Sequence, residues 1–342
     1  MIVANAKQVL TNAQLRHSSG ECNEIAQTIL LRASDEMNVR FSNMEKIVDN
    51  RNSVCLKLYA VDRPYLLKVN KNSNTHEVTG SASRMSSTSR SAIKGAFTLP
   101  AIHYIDREFD ATIMEFIPGT RFDTILAKST DLDLIEECIN KAAYALAIIH
   151  ELSLDGGNPA ITPKMDNTLA ELTSVFPSFV QRNLETLVRI ADLTPLRPVV
   201  VHGDFSPKNI LFDDSGSLFV IDFTGSADSF SPLRDISIFA VGLARALALS
   251  ARLRSGASSR LSEALVQKFL KQYLLRFRQV DNMEPRILSQ QLVLFELLRL
   301  AEMKIWLDGY RAFDEAFLGW VKARIGGRFI ASQLRRLERR LT

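Results

Sequence analysis

The chain has 342 residues, 46% of them hydrophobic and 23% charged, with a formal net charge of +4. That is a globular composition with material for a large core, and the basic excess is too small for a nucleic-acid binder unless it is concentrated on one surface. Three widely spaced cysteines, Cys22, Cys55 and Cys138, suggest neither a disulfide framework nor a zinc knuckle and fit a reducing cytoplasm.

In chain order, residues 21–37 place Ile25, Ile29, Leu30 and Ala33 at helical spacing. The segment before them lacks a sustained apolar signal core. The most apolar helix-like run, 239–251, is interrupted by Arg245 and too short to span a bilayer, so a cytoplasmic location is expected. Strand-like runs at 44–48, 54–60 and 65–69 are separated by polar turns and predict a meander. The first turn has no glycine between Val48 and Ser53. Its amides, Asn side chains, Arg51 and Ser53 suit contact with phosphates, and an ordinary polar hairpin fits the same residues.

Lys68 ends the third run inside Leu-Leu-Lys-Val, where an inward ammonium is costly unless it meets an anion. Residues 76–87 turn helical but are rich in Ser, so that helix is weak by propensity. Glu77 at its start reads either as a solvated helix residue or as a partner for Lys68. Runs at 101–106 and 111–116 add two strands, for a five-stranded sheet. Met114-Glu115-Phe116-Ile117-Pro118-Gly119 then reads as a linker, or as a plain turn.

Beyond it the periodicity is helical, first over 131–152, where His150 falls on the apolar face as a core histidine, and then over 168–190. The acids Asp123, Asp131, Asp133, Glu136 and Glu137 either attract a cationic ligand or form a solvated helix face.

The most informative stretch is 199–223. An apolar run delivers His202-Gly203-Asp204 to a loop that Pro207 stiffens, and Asn209 opens a hairpin whose second strand ends at Asp222. Phosphoryl transfer from a nucleotide needs a carboxylate to orient and deprotonate the attacking hydroxyl, and hard oxygen ligands for magnesium. Asp204 suits the first role, and Asn209 and Asp222 the second. Their spacing, Asp, four residues, Asn, and then an Asp one hairpin later, follows the kinase catalytic-loop pattern.

Through His202-Gly203-Asp204-Phe205-Ser206-Pro207-Lys208-Asn209 and Ile221-Asp222-Phe223 the chain resembles the aminoglycoside phosphotransferase and choline kinase-like family of small-molecule kinases. The resemblance implies an α+β, two-lobed protein kinase-like fold: a leading segment (1–37), an N-lobe with a five-stranded antiparallel sheet (38–117) and a mainly α-helical C-lobe (118–342). It implies Asp204 as catalytic base, Asn209 and Asp222 as Mg2+ ligands, and His202 as packing for the catalytic loop. Lys68 would grip the phosphates of ATP or GTP, Glu77 would hold Lys68, and the turn with Ser53 would cover the phosphates. Glu115 and Ile117 would meet the base through their main chain.

Two departures bear on the loop. Ser206 stands where protein serine/threonine kinases carry a lysine, and Lys208 where this family often has a glycine; both are carried as candidate phosphate contacts. Ser206 and the short segment after Asp222 disfavour a protein acceptor. The expected partner is a small-molecule hydroxyl acceptor such as an aminoglycoside, amino alcohol or sugar. A catalytically weak, nucleotide-binding regulatory module of the same fold is the alternative, motivated by the glycine-free turn.

Asp235 matches a family position that caps the next helix and braces the catalytic loop. Helices over 235–253, 261–278 and 285–307 would complete the lobe. At the C-terminus Lys322, Arg324, Arg328, Arg335, Arg336, Arg339 and Arg340 alternate with Phe329, Ile330, Leu334, Leu337 and Leu341. This basic amphipathic helix reads either as a peripheral membrane or anionic contact or as a helix docked on the lobe.

Overall fold

The computed structural model describes residues 19–49, 53–71, 77–87, 95–151, 165–191, 199–223, 229–249, 257–277, 285–313 and 316–341. Helix α1 (Ser19–Met37) leads into β1 (Phe41–Asp49), β2 (Ser53–Ala60) and β3 (Pro64–Asn70), then α2 (Glu77–Ser87), β4 (Ile102–Asp106) and β5 (Ala111–Glu115). The five strands form one antiparallel sheet in the order β1-β2-β3-β5-β4, so the last strand in sequence is inserted beside β3.

Period-two alternation sorts the two faces of this sheet. Val54, Leu56, Leu58, Tyr65, Leu67 and Val69 are buried against Ala26, Ile29 and Ala33 of α1. The other face carries the half-buried Cys55, Lys57, Leu66 and Lys68. Lys68 therefore points away from α1, on the side of the sheet that faces the C-terminal lobe.

The weak, Ser-rich helix does form, because its N-terminus is capped from a distance. Asp110, in the turn between β4 and β5, accepts hydrogen bonds from the Thr79 amide and the Thr79 hydroxyl, both at 2.8 Å. Asn70 donates to the same carboxylate at 2.5 Å. Burial alone would raise the pKa of Asp110, but the Thr79 amide and the side chains of Asn70 and Thr79 hold it below the ordinary carboxylate value. A negative charge at a helix N-terminus is favourable, and Val78, Ala82 and Met85 are buried beneath it.

After the sheet come β6 (Thr120–Arg121), α3 (Phe122–Lys128), α4 (Leu132–Glu151), α5 (Met165–Val175) and α6 (Pro177–Ala191). The single helix expected over 168–190 is thus two. Pro177 has no N–H to continue the ladder and disfavours helical backbone at Phe176, so the chain breaks there and Pro177 starts the next helix. Strands β7 (Val199–Val200), β8 (Ile210–Phe212), β9 (Leu218–Val220) and β10 (Ser229–Phe230) follow, then α7 (Leu233–Leu249), α8 (Ala257–Leu274), α9 (Pro285–Phe313) and α10 (Ala316–Leu341). The two lobes are tied by Thr98, whose amide donates to Leu218 O at 2.8 Å and whose carbonyl accepts from Val220 N at 3.0 Å.

The basic C-terminal segment is the docked helix. Ile330 and Leu337 of α10 are buried with Leu297, Leu300 and Ala301 of α9 and Leu187 and Ile190 of α6. Two of its arginines face inward as well: Arg336 and Arg340 both pair with the fully buried Glu296, Arg340 at 2.8 Å. The apolar face that a membrane surface would need is engaged inside the lobe. Among the described residues no helix is long and apolar enough to cross a membrane.

Replacing Glu296 by Gln leaves two inward arginines without their counter-charge, and breaking a buried pair on one side costs about 3–5 kcal/mol. Urea unfolding of Glu296→Gln is expected to show a loss of that size, and a midpoint within error of the parent would contradict this account of how α10 docks.

Candidate active site

The loop at 202–209 is held from below by one carboxylate. Asp235, fully buried in the first turn of α7, accepts hydrogen bonds from the amides of His202 at 2.6 Å and Gly203 at 2.8 Å. Its Oδ2 also lies 3.1 Å from His150 Nε2, and His150 Nδ1 lies 2.8 Å from the Tyr273 hydroxyl. Burial by itself would push the pKa of Asp235 up; the hydrogen bond and charge of His150, followed by His202 and the Gly203 amide, hold it below the ordinary value. Gly203 takes φ of 89°, a backbone conformation that a side chain would strain.

His202 is buried and its tautomer follows from its neighbours. Nδ1 accepts from the Asp204 amide at 3.2 Å, so Nε2 carries the proton that it donates to the Ile221 carbonyl at 3.0 Å. The ring lies with its centroid 4.2 Å from that of Phe223. One imidazole thereby joins the loop that carries Asp204 to the strand end that carries Asp222. Gly242 of α7 permits the close approach beneath, since a Cβ there would lie 2.8 Å from Pro207 Cδ.

Around Asp204 the two carboxylate oxygens differ. Oδ2 receives Asn209 Nδ2 at 3.0 Å and the Lys208 ammonium at 2.8 Å. Oδ1 is buried and accepts no hydrogen bond, with Arg299 Nη2 at 3.6 Å. Asn209 also donates to the Asp204 carbonyl at 2.9 Å, and its own carbonyl accepts from the Ile221 amide at 3.0 Å. The hairpin β8–β9 pairs Ile210 with Val220 and Phe212 with Leu218. Its polar turn closes on Asp213 Oδ1, which accepts from the amides of Ser215 at 3.0 Å and Ser217 at 2.8 Å.

Asp222 then sits with φ of 60°, a left-handed conformation that Asp tolerates better than most residues. Lys68 crosses from the sheet to meet its Oδ1 at 2.6 Å, although 154 residues separate them in sequence. Burial would raise the pKa of Asp222, but the charge and hydrogen bond of Lys68, with Lys208 and His202 further away, keep it below the ordinary value. Asp204, Asn209 and Asp222 are therefore brought together, as the loop and hairpin pattern expects, and Lys68 and Lys208 join them through ion pairs with Asp222 and Asp204.

Ser53 is buried at the start of β2, beside the Cys55 thiol, whose pKa burial pushes up to about 11. Residues 50–52 of the phosphate turn lie outside the described residues, as does the side chain of Glu77, whose backbone opens α2. The Glu115 amide donates to the Ala101 carbonyl at 2.8 Å, and the Ile117 carbonyl accepts from Gly119 at 3.0 Å. Ser206 lies within the loop with its hydroxyl oxygen buried and without a hydrogen bond.

Four of the five acids that could lure a cation are engaged elsewhere: Asp123 with Arg121, Glu136 with Lys268, Glu137 with Lys141, and Asp131 with the Leu134 amide. Arg299, which the sequence reading passed over, reaches Asp204 from α9. A single charge inside Leu297-Leu298-Arg299-Leu300 is the same signal that marks Lys68, an ion in an apolar run that calls for a counter-ion.

Among the described residues no three His, Cys, Asp or Glu side chains converge on one point as a self-sufficient metal site. Magnesium bound on nucleotide phosphates takes only one or two protein oxygens, and an Asp with an Asn is chemically fit for that.

A model of the phosphotransferase enzyme family matches residues 49–279. The chain belongs to this family. Choline kinase LicA from Streptococcus pneumoniae has a similar fold, with a TM-score of 0.58 at 14% identity over 90% of this chain and 99% of that one. An ethanolamine kinase from Plasmodium vivax gives 0.58 at 13% identity over 98% and 96% of the two chains. A spectinomycin phosphotransferase in complex with ADP and spectinomycin gives 0.57 at 13% over 92% and 98%. No curated protein matches the sequence. The protein is thus a family phosphotransferase by sequence, with the two-lobed kinase-like fold of small-molecule kinases.

In this family member the Asp235 brace has a measurable consequence. An Asn at 235 would keep the shape but lose the charge and turn an N–H toward a backbone donor; Asp235→Asn is expected to cost about 2–3 kcal/mol in denaturant unfolding. Because the folded pKa of Asp235 is depressed, its contribution is fully present above the ordinary value of 3.8 and is lost as pH falls through the folded value. The variant should therefore show a flatter stability profile on acidification below that value than the parent.

Proposed function

We propose that the protein transfers the terminal phosphate of ATP or GTP to a hydroxyl group of a small molecule, with magnesium as the required ion. The observation that carries this reading is the convergence of Lys68 and Asp222 at 2.6 Å beside the loop of Asp204 and Asn209. The kinases among the similar folds, which act on choline and ethanolamine, and the phosphotransferase solved with ADP and spectinomycin support the reaction class.

Asp204 is the base. Its Oδ2 is taken by Asn209 and Lys208, which leaves Oδ1, covered in the ligand-free protein, for the hydroxyl proton once the acceptor has displaced what covers it. The acceptor oxygen forms its bond to the terminal phosphorus as that phosphorus parts from the bridging oxygen of the leaving nucleoside diphosphate. Asn209 gives its amide nitrogen to Asp204, so its side-chain oxygen is the atom available to magnesium, together with the Asp222 carboxylate. When bound, magnesium offsets charge on the phosphate oxygens.

Lys68 holds Asp222 in the nucleotide-free protein and grips phosphates when they arrive. Lys208, with its side chain 51% exposed, has the reach to move from Asp204 toward the transferred group. The Glu115 amide is committed to Ala101, so Glu115 meets the base through its carbonyl and Ile117 through its amide. Residues 38–117 form the nucleotide-binding lobe and 118–342 the lobe of the catalytic loop and acceptor pocket.

General-base assistance is worth about 10²–10⁴-fold in rate. Asp204→Asn should lose transfer of labelled terminal phosphate by that factor while its affinity for nucleotide, measured by calorimetry, stays that of the parent. Unimpaired turnover in the variant would refute the assignment, and nucleotide binding without transfer to any hydroxyl would favour the regulatory reading.

A further inference from the structure

Two incomplete valences face each other beside the catalytic loop. Among the described residues Asp204 Oδ1 is buried without a hydrogen bond, and Arg299 Nη2 stands 3.6 Å from it, too far to donate. Arg299 is oriented on its other side, where Nη1 donates to Glu302 at 2.8 Å, one turn along α9. Its Nε and Nη2 carry no hydrogen bond among the described residues, and its side chain keeps 28% of its surface open. A guanidinium held by one edge presents the opposite edge as a fixed fork, the geometry that binds a carboxylate or phosphate through two parallel hydrogen bonds.

The charges beside the guanidinium are mixed, with Glu302 on its far edge and a second cation on the Asp204 side. Lys208 and Arg299 both approach Asp204. Asp123, Glu136 and Glu137 are paired with Arg121, Lys268 and Lys141. An acceptor whose hydroxyl reached Oδ1 while bearing a neighbouring ammonium would set that ammonium against the guanidinium.

We propose that Arg299 selects the acceptor, and that the acceptor carries an oxyanion, a carboxylate or a phosphate ester, next to the hydroxyl that is phosphorylated. The inference rests on Asp204 as the base and names the substrate class of that same site. The hydroxyl occupies Oδ1, and the oxyanion takes the free edge of Arg299.

The test is calorimetric titration of the protein loaded with magnesium and ADP, using glycerol 3-phosphate, D-glycerate, glycerol and ethanolamine as probes. The parent is compared with Arg299→Gln and Arg299→Lys, and transfer from labelled ATP to D-glycerate, glycerol and ethanolamine is run in parallel. At least one anion is expected to bind while glycerol and ethanolamine do not. Arg299→Gln should weaken that anion by about tenfold or more with ADP affinity unchanged, and Arg299→Lys, which restores charge without the fork, should recover only part. The phosphate and carboxylate arms decide which oxyanion is read.

Binding of neither anion, preference for ethanolamine, or equal losses for every probe in Arg299→Gln would overturn the inference; the last is what a purely structural arginine would give. Anion binding that depends on Arg299, with no phosphate transferred to any hydroxyl, would overturn the phosphotransfer reading and leave the anion site standing.

Discussion

The buried carboxylate of Asp235 is the constraint from which the rest of the site follows. Taking an ion out of water is costly, and here two backbone amides and an imidazole offset the cost. The amides belong to His202 and Gly203, so the same bonds that make the buried charge tolerable fix the backbone immediately before Asp204. With that backbone set, His202 has one orientation open to it, accepting from the Asp204 amide and donating to Ile221. The position of Asp222 is thereby coupled to that of Asp204 through the His202 ring, and Asn209 adds a second link by donating to Asp204 and accepting from the Ile221 amide.

The sheet supplies the other half. Lys68 lies on the opposite face of its strand from Leu67 and Val69, and only that alternation aims its ammonium away from α1. Its ion pair with Asp222 is partly exposed, at 17% and 36% of the two side chains, so solvent screens it and it exchanges partners more readily than the fully buried Asp235 network. A rigid brace under the loop and a labile pair across the cleft suit the proposed reaction, in which a base stays aligned while a charged ligand is admitted.

Basic residues serve several ends in this chain. Arg336 and Arg340 fasten the last helix through Glu296, Arg299 and Lys208 surround Asp204, and Lys68 meets Asp222. A net charge of +4 summarises none of this. What matters is that each inward cation has a carboxylate, and that the carboxylate of Asp204 has one oxygen left over.

Local chemistry was sufficient to read the loop-and-hairpin form of residues 199–223 and the sheet from sequence. Proline and glycine mark the loop, strand alternation is periodic over two residues, and Asp204, Asn209 and Asp222 lie within one hairpin of one another, so local pairing brings them near, while the brace that fixes the loop comes from Asp235 of α7. Local rules also covered the break at Pro177, since a missing N–H ends a helix wherever it stands, although the periodicity of the flanking residues masked it. The tertiary structure alone decided what depends on residues far apart in the chain: Asp110 capping a weak helix 31 residues earlier, Lys68 meeting Asp222, Glu296 turning a basic amphipathic face inward, and Arg299 arriving at Asp204 from α9. In each case a charged group takes its role from the counter-charge or dipole that packing brings to it, and sequence separation carries no information about that distance.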